Sequence, residues 1–281
     1  MKVTYLGTTM LLFDDGKDQL LFDCHVTRPS IPKFLTSKIS TDTSVADRVI
    51  RDFKIDRLKG MFISHSHHDH VLDAPYFALK CGGDIYGSSS ALNVARGGNV
   101  PEERLHDFKD SMEYQVGNFH VTVLNSIHSK AHWYNNDLGQ TIDEPLVQPA
   151  KKKRFKEGGS FDFLVSHNDK QYLIRPSYNY LEGQLDGIKA DVLFLGISGM
   201  SKDTDENRKK FFAETIDKVE PDLVIPVHWD NFLAPLYGDV KGMPKLVLNT
   251  GRSMRFLADH CAKVGVNCVV QLPGSSMEID K

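Results

Sequence analysis

Apolar residues in the first quarter of the chain come in short blocks divided by turn formers. Strands are predicted over 2–6, 9–14 and 19–23, with Gly7 and Gly16 marking the turns. Such a meander predicts that an antiparallel sheet begins the fold. Within 42–53 the pattern changes, because Val45, Val49, Ile50 and Phe53 recur at helical spacing. A buried strand over 59–64 follows, then a helix over 72–81, a strand over 84–87 and a helix over 88–96 ended by Gly97-Gly98. Phe119, Val121 and Val123 alternate with polar residues, which predicts a strand over 119–125. Further strands are predicted over 161–167, 171–175, 192–196, 223–227 and 267–271, with helices over 206–219 and 252–264. Strands dominate early and alternate with helices later. That order suits two sheets packed face to face with helices outside, leaving loops at one end free to hold chemistry.

One stretch breaks the pattern. Residues 129–160 show little periodicity and contain Asp143-Glu144-Pro145 and the basic run Lys151-Lys152-Lys153-Arg154. A loop of that length in a compact domain is a lid, a binding loop or disordered. Its basic run is either a solvated surface or an attractor for an anionic substrate group such as phosphate or carboxylate. The 281 residues are read as a single domain, 1–281, with this loop inserted near the site.

The strand over 59–64 delivers His65-Ser66-His67-His68-Asp69-His70, which holds four of the chain's twelve histidines. Imidazole nitrogen and carboxylate oxygen are the usual ligands of zinc and its neighbours. In an extended segment His65 and His67 point the same way, and a turn into a helix brings Asp69 and His70 to the same place. One loop then offers two ligands to each of two metals. His68 has the opposite parity and points away. His128 and His228 also follow predicted strands, so they are the candidates to complete the set. His106, His120, His167 and His260 lack that context and are read as surface or packing residues.

Composition narrows the partners. Hydrophobic residues make up 41% and charged residues 25%, ordinary for a globular protein, and the net charge of −3 argues against a dedicated nucleic-acid binder. No apolar stretch is long enough to span a membrane, and the N-terminus does not resemble a signal peptide, so a cytoplasmic location is expected. The four cysteines form no CxxC pair and are read as reduced thiols. Asp23 ends a strand, where functional groups often collect, and the polar segment after it is expected to reach the site.

Taken in order, His65-x-His67-x-Asp69-His70, His128 and His228 resemble the metallo-β-lactamase superfamily of metal-dependent hydrolases. The resemblance runs from Val3-Thr4-Tyr5-Leu6-Gly7 to Pro226-Val227-His228-Trp229-Asp230. Within the superfamily, the chain looks most similar to the bacterial branch of ascorbate-6-phosphate lactonase-like proteins. The phosphodiesterases that cleave N-acylphosphatidylethanolamines are a more distant match. The resemblance implies an α/β (α+β) fold, a four-layer αββα sandwich with a dinuclear site at one edge. It further implies that His65, His67 and His128 hold the first metal, and Asp69, His70 and His228 the second. Zn2+ is the implied occupant, as one or two ions, with Mn2+ as the alternative. One departure stands out, because the family places a bridging aspartate after a strand. Tyr172-Leu173-Ile174-Arg175-Pro176-Ser177-Tyr178 has no acid there, and Ser177 or a close neighbour takes that place. A neutral serine offsets no cationic charge, so weaker second-metal binding is expected.

The expected activity is hydrolysis of a small ester, lactone or phosphodiester, with Asp69 as the catalytic candidate that orients water and accepts its proton. The variant of the motif with glutamate at the place of His67 belongs to iron redox proteins, so hydrolysis is preferred. Substrate-binding candidates are His25, Arg28, His132, Tyr134, Ser177, Ser198 and Trp229. The alternatives are a metal-binding protein of this fold with lost or altered catalysis and a nuclease.

Overall fold

The computed structural model describes residues 1–109, 111–130 and 136–279. The chain opens with β1 (Lys2–Gly7), β2 (Met10–Asp14) and β3 (Gln19–Phe22), the predicted antiparallel meander. Helices α1 (Ile31–Thr36) and α2 (Thr43–Asp52) lead to β4 (Leu58–Phe62). Next come α3 (His68–Val71), α4 (Ala74–Cys81), β5 (Asp84–Gly87), α5 (Ser89–Gly97) and β6 (Leu105–Asp107). The second half holds β7 (Glu113–Val116), β8 (Phe119–Ser126), β9 (Ser160–His167), β10 (Lys170–Arg175) and β11 (Val192–Gly196). It finishes with α6 (Asp205–Glu214), α7 (Ile216–Val219), β12 (Leu223–Val227), α8 (Thr250–Val264), β13 (Asn267–Cys268) and β14 (Ser275–Glu278).

Two seven-stranded sheets result, ordered β14-β1-β2-β3-β4-β5-β6 and β13-β12-β11-β10-β9-β8-β7. Each is antiparallel in one part and parallel in the other, with parallel pairing from β3 to β6 and from β10 to β13. Side chains alternate between the faces of a strand. Leu11, Phe13, Leu20, Phe22 and Phe62 therefore point into the core between the sheets, while Met10, Leu12, Leu21, Met61 and Ile63 join a second core beneath the helices. Both faces of the first sheet are buried, which is the αββα arrangement.

Aromatic rings bridge the sheets. Phe13 meets Tyr172 at 5.4 Å and Phe194 at 5.6 Å, and Phe22 meets Phe163 at 5.5 Å between centroids. Each such ring, fully buried, contributes roughly 1.5–3 kcal/mol of transfer free energy.

The elements differ from expectation at a few points. β6, β7 and β14 carry no apolar alternation strong enough to predict them; they are short and mostly open to solvent. The helix expected over 206–219 breaks at Thr215 (φ −123°, ψ −85°), whose buried hydroxyl donates back to the Phe211 carbonyl. The helix expected over 72–81 begins at Ala74, because the carboxylate of Asp73 is engaged elsewhere. It accepts from Val26 N at 2.7 Å, Thr27 N at 2.8 Å and Thr27 Oγ1 at 2.7 Å, tying down the segment after β3. The final strand expected over 267–271 shortens to Asn267–Cys268.

Among the described residues of 127–159, regular structure is confined to a short 3-10 turn at Lys152–Arg154. This stretch is nonetheless packed, since Ile142, Leu146, Ala150 and Phe155 are buried in the helix-side core. Asn93 of α5 anchors it at both ends of a short span, donating to Ile142 O at 2.6 Å and accepting from Leu146 N at 2.9 Å. The close approach requires Gly97, where a Cβ would lie 2.1 Å from Leu146 O. No helix among the described residues is long and apolar enough to cross a membrane.

Candidate metal centre

Strand ends set this site. β4 leads through Ile63 and Ser64 to His65, and His67 stays extended (φ −63°, ψ 149°) as the residue before α3. The helical turn then brings round Asp69 and His70. From the second sheet, His128 follows β8 and His228 follows β12 directly. Candidate ligand atoms of His65, His67 and His128 all lie within 4.8 Å of one another, and so do those of Asp69, His70 and His228. The two groups abut, with the rings of His65 and His70 3.7 Å apart between centroids.

Each of four imidazoles has one ring nitrogen held by the protein. His65 Nδ1 meets Ser64 Oγ at 3.1 Å, and His128 Nδ1 donates to Ser129 O at 2.9 Å. His70 Nδ1 meets Asp23 Oδ2 at 2.7 Å, and His67 Nε2 meets Asp137 Oδ1 at 3.1 Å. Metal-binding histidines are oriented in this way, with the other nitrogen left for the ion. Asp23 is the hub of the arrangement. Its carboxylate also accepts from Ser64 N at 2.8 Å and Ser64 Oγ at 2.9 Å, and from Thr9 Oγ1.

Protonation states agree with a cation site. Burial pushes His65 well below the usual imidazole value, and burial with the neighbouring His67 pushes His128 down to about 3. Both rings are therefore neutral, with lone pairs free. His65 Nε2 is buried without any hydrogen-bond partner, which is costly unless something else meets it. Burial works against charge on Asp69, but His70, His68 and His228 around it prevail and hold its carboxyl well below the ordinary range. Burial works against charge on His228 as well, but its hydrogen bond to Asp69 prevails and raises it above the usual imidazole value. A carboxylate set among imidazole nitrogens is a donor set that fits a divalent cation.

His228 is held in a left-handed conformation, φ +57°, which a non-glycine residue adopts only under constraint. Its N–H donates to Thr8 O at 2.5 Å, and Asp230 fixes the same turn by accepting from Thr8 N at 2.8 Å and Tyr5 Oη at 2.6 Å. Arg28 completes the brace through an ion pair with Asp230 at 2.9 Å. Gly7 is required here, since a Cβ would lie 2.8 Å from Asp230 Oδ2, and its φ is +94°.

A cavity of about 370 Å3 opens over both groups, reached by His67, Asp69, His128 and His228. Of the substrate-binding candidates, Ser177 and Ser198 line it. Arg28 does not; its charge is engaged by Asp230 in the interior, which corrects the expectation. His25 is likewise buried, edge-on to His68 at 6.1 Å, and does not reach the cavity wall. Trp229 lies against Tyr5 at 6.4 Å and borders a separate small void beside Ser198 and His228. His132 and Tyr134 lie outside the described residues.

His68 belongs to neither group, although its Nδ1 lies 3.6 Å from Asp69 Oδ1, and its ring faces the cavity with Phe34, Phe155 and Phe232. Lys130, Lys152, Lys153 and Lys156 add positive charge to the walls. Two functional candidates escaped the sequence reading. Asp23 carried a weak signal as a strand-end acid, and Asp137 carried none.

Comparison with known proteins agrees with this geometry. Residues 4–170 match the profile of the metallo-beta-lactamase superfamily. A metal-dependent hydrolase from Carboxydothermus hydrogenoformans is 23% identical over 83% of this chain and 86% of its own. The structure of Igni18, a novel metallo hydrolase from Ignicoccus hospitalis, superposes with a TM-score of 0.63 at 14% identity, covering 99% of both chains. The isothiocyanate hydrolase from Delia radicum gut bacteria gives 0.62 at 13% identity, again over 99% of both. With more than half its length matched and both candidate ligand groups brought together, the chain belongs to the metallo-beta-lactamase superfamily of metal-dependent hydrolases.

Proposed function

We propose that the protein hydrolyses a small anionic ester, lactone or phosphodiester at a dinuclear centre. His65, His67 and His128 hold the first ion in this reading, and Asp69, His70 and His228 the second. The observation that carries it is the convergence of two three-residue groups, from three strand ends of both sheets, on one cavity. Zinc suits the nitrogen-rich first group, with manganese as the alternative. A bound dication lowers the pKa of water towards neutrality and polarises the oxygen under attack.

The chain's own residues do the rest. Asp69, ionised, orients water and accepts its proton on a carboxylate oxygen. Lys130, Lys152, Lys153 and Lys156 draw an anionic substrate to the opening, and Ser177 and Ser198 offer hydroxyls to it. Phe34, Phe155 and Phe232 form an apolar wall that excludes water from part of the cavity. Its volume of about 370 Å3 suits a small molecule better than a nucleic-acid strand. The lysine-lined wall also supports the narrower likeness to phosphorylated-lactone hydrolases.

A second reading, a metal-binding protein with altered catalysis, is favoured by Ser177 alone. Elemental analysis of purified protein, followed by a screen of carboxylic esters, lactones, phosphate esters and phosphodiesters, separates them. Bound metal with turnover is the expected result. Bound metal without turnover in any class would favour the second reading, and protein that takes up neither zinc nor manganese would end both.

A further inference from the structure

The first group of imidazoles is held by unequal partners. His65 and His128 are fixed by neutral oxygens, those of Ser64 and Ser129. His67 is different, because its Nε2 lies 3.1 Å and 3.2 Å from the two carboxylate oxygens of Asp137. Asp137 comes from the long segment between β8 and β9, distant from the hexapeptide in sequence. Its side chain is 12% exposed and that of His67 8%. Solvent screening of the contact is therefore slight.

The contact closes a ring of hydrogen bonds. Gln140 N donates to Asp137 O at 2.9 Å, and Gly158 N donates to Gln140 O at 2.9 Å. Gly139 N meets Glu157 Oε2 at 2.8 Å, while Ser66 N, between His65 and His67, donates to Glu157 O at 2.9 Å. The loop is thus stitched to the hexapeptide at Ser66 and at His67. Asp23 makes the same kind of contact with His70, in the second group. Ser177, on the cavity wall, brings no charge.

We propose that Asp137 is a positioning residue for the first metal, fixing the His67 ring with Nδ1 towards the ion and supplying from the loop a negative charge that Ser177 does not. The inference rests on the dinuclear reading above. A carboxylate on the far nitrogen fixes tautomer and ring orientation and makes the imidazole a stronger donor. Its removal costs metal affinity even though it touches no metal.

The test uses the full chain, with Zn2+ titrated against a chromophoric chelator and Co2+ as a spectroscopic probe. Asp137→Ala should weaken the tighter Zn2+ step by about 10- to 100-fold and shift the visible Co2+ bands. Asp137→Asn keeps an acceptor for His67 but no charge, and should lose a smaller factor. Should the alanine variant fail to fold, the asparagine variant decides alone. Wild-type affinity and unchanged Co2+ bands in the folded variants would overturn the proposal. If wild type binds Zn2+ and His67→Ala does not, such a result removes the role of Asp137 while leaving the centre intact; if wild type binds neither ion, the centre itself is refuted.

Discussion

Ser177 lies two residues after β10 and lines the same cavity as Asp69, His128 and His228. A hydroxyl there can donate a hydrogen bond but cannot balance two dications. Opposite charges about 4 Å apart attract by roughly 4 kcal/mol at the effective dielectric of a partly exposed site, and a third of that is about tenfold in affinity. Ser177→Asp should therefore tighten the weaker metal step by about tenfold or more, read by titration against a chelator. An unchanged second step would show that this position does not face the ions. Asp69 needs no such help, since its imidazole neighbours already favour the ionised form.

Among the elements, the turn after β1 and the segment after β12 form one unit. Arg28 and Asp230 are nearly inaccessible, at 4% and 1% side-chain exposure, so their ion pair is interior. Removing one partner of a buried pair leaves an uncompensated charge and typically costs about 3–5 kcal/mol. Arg28→Ala should show a loss of that order in urea unfolding. The strained turn that presents His228 depends on Asp230, so metal bound by the second group should be lost before the first. An Arg28→Ala protein with wild-type stability and impaired turnover would return this residue to a substrate-binding role. The long loop, by contrast, is held to α5 and to the hexapeptide by backbone hydrogen bonds, and changes in its exposed lysines should leave folding untouched.

Over the whole molecule, the buried imidazoles make stability depend on pH. Burial holds His25 well below the ordinary value, and burial brings His68 down to about 4. A histidine whose folded pKa is depressed binds fewer protons folded than unfolded, so acid favours the unfolded chain. Its contribution is complete above about pH 6.5, the unfolded value, and is lost as pH falls towards the folded value. The Tm of chelator-treated protein should therefore drop steadily from about pH 6.5 to about pH 4. A flat Tm across that window would contradict neutral, buried rings.

Short apolar blocks separated by turn formers pointed to two sheets with helices outside, because strands buried on both faces, such as β1, β2, β3 and β11, read as near-continuous apolar runs, while β8, open on one face, alternates. The hexapeptide stood out for a local reason too, since its candidate ligand residues are neighbours in sequence and follow a strand. His128 and His228 were readable from the same context of a strand followed by histidine. Only the tertiary structure decided which charges serve the site and which brace it. Arg28 looked available in sequence, but its partner Asp230 lies some two hundred positions away and takes its charge into the interior. Asp137 sits in a segment without periodicity, and only folding sets its carboxylate against His67. Hydrogen bonds between distant segments leave no trace in local spacing, because spacing records which face a residue takes and not what it meets there.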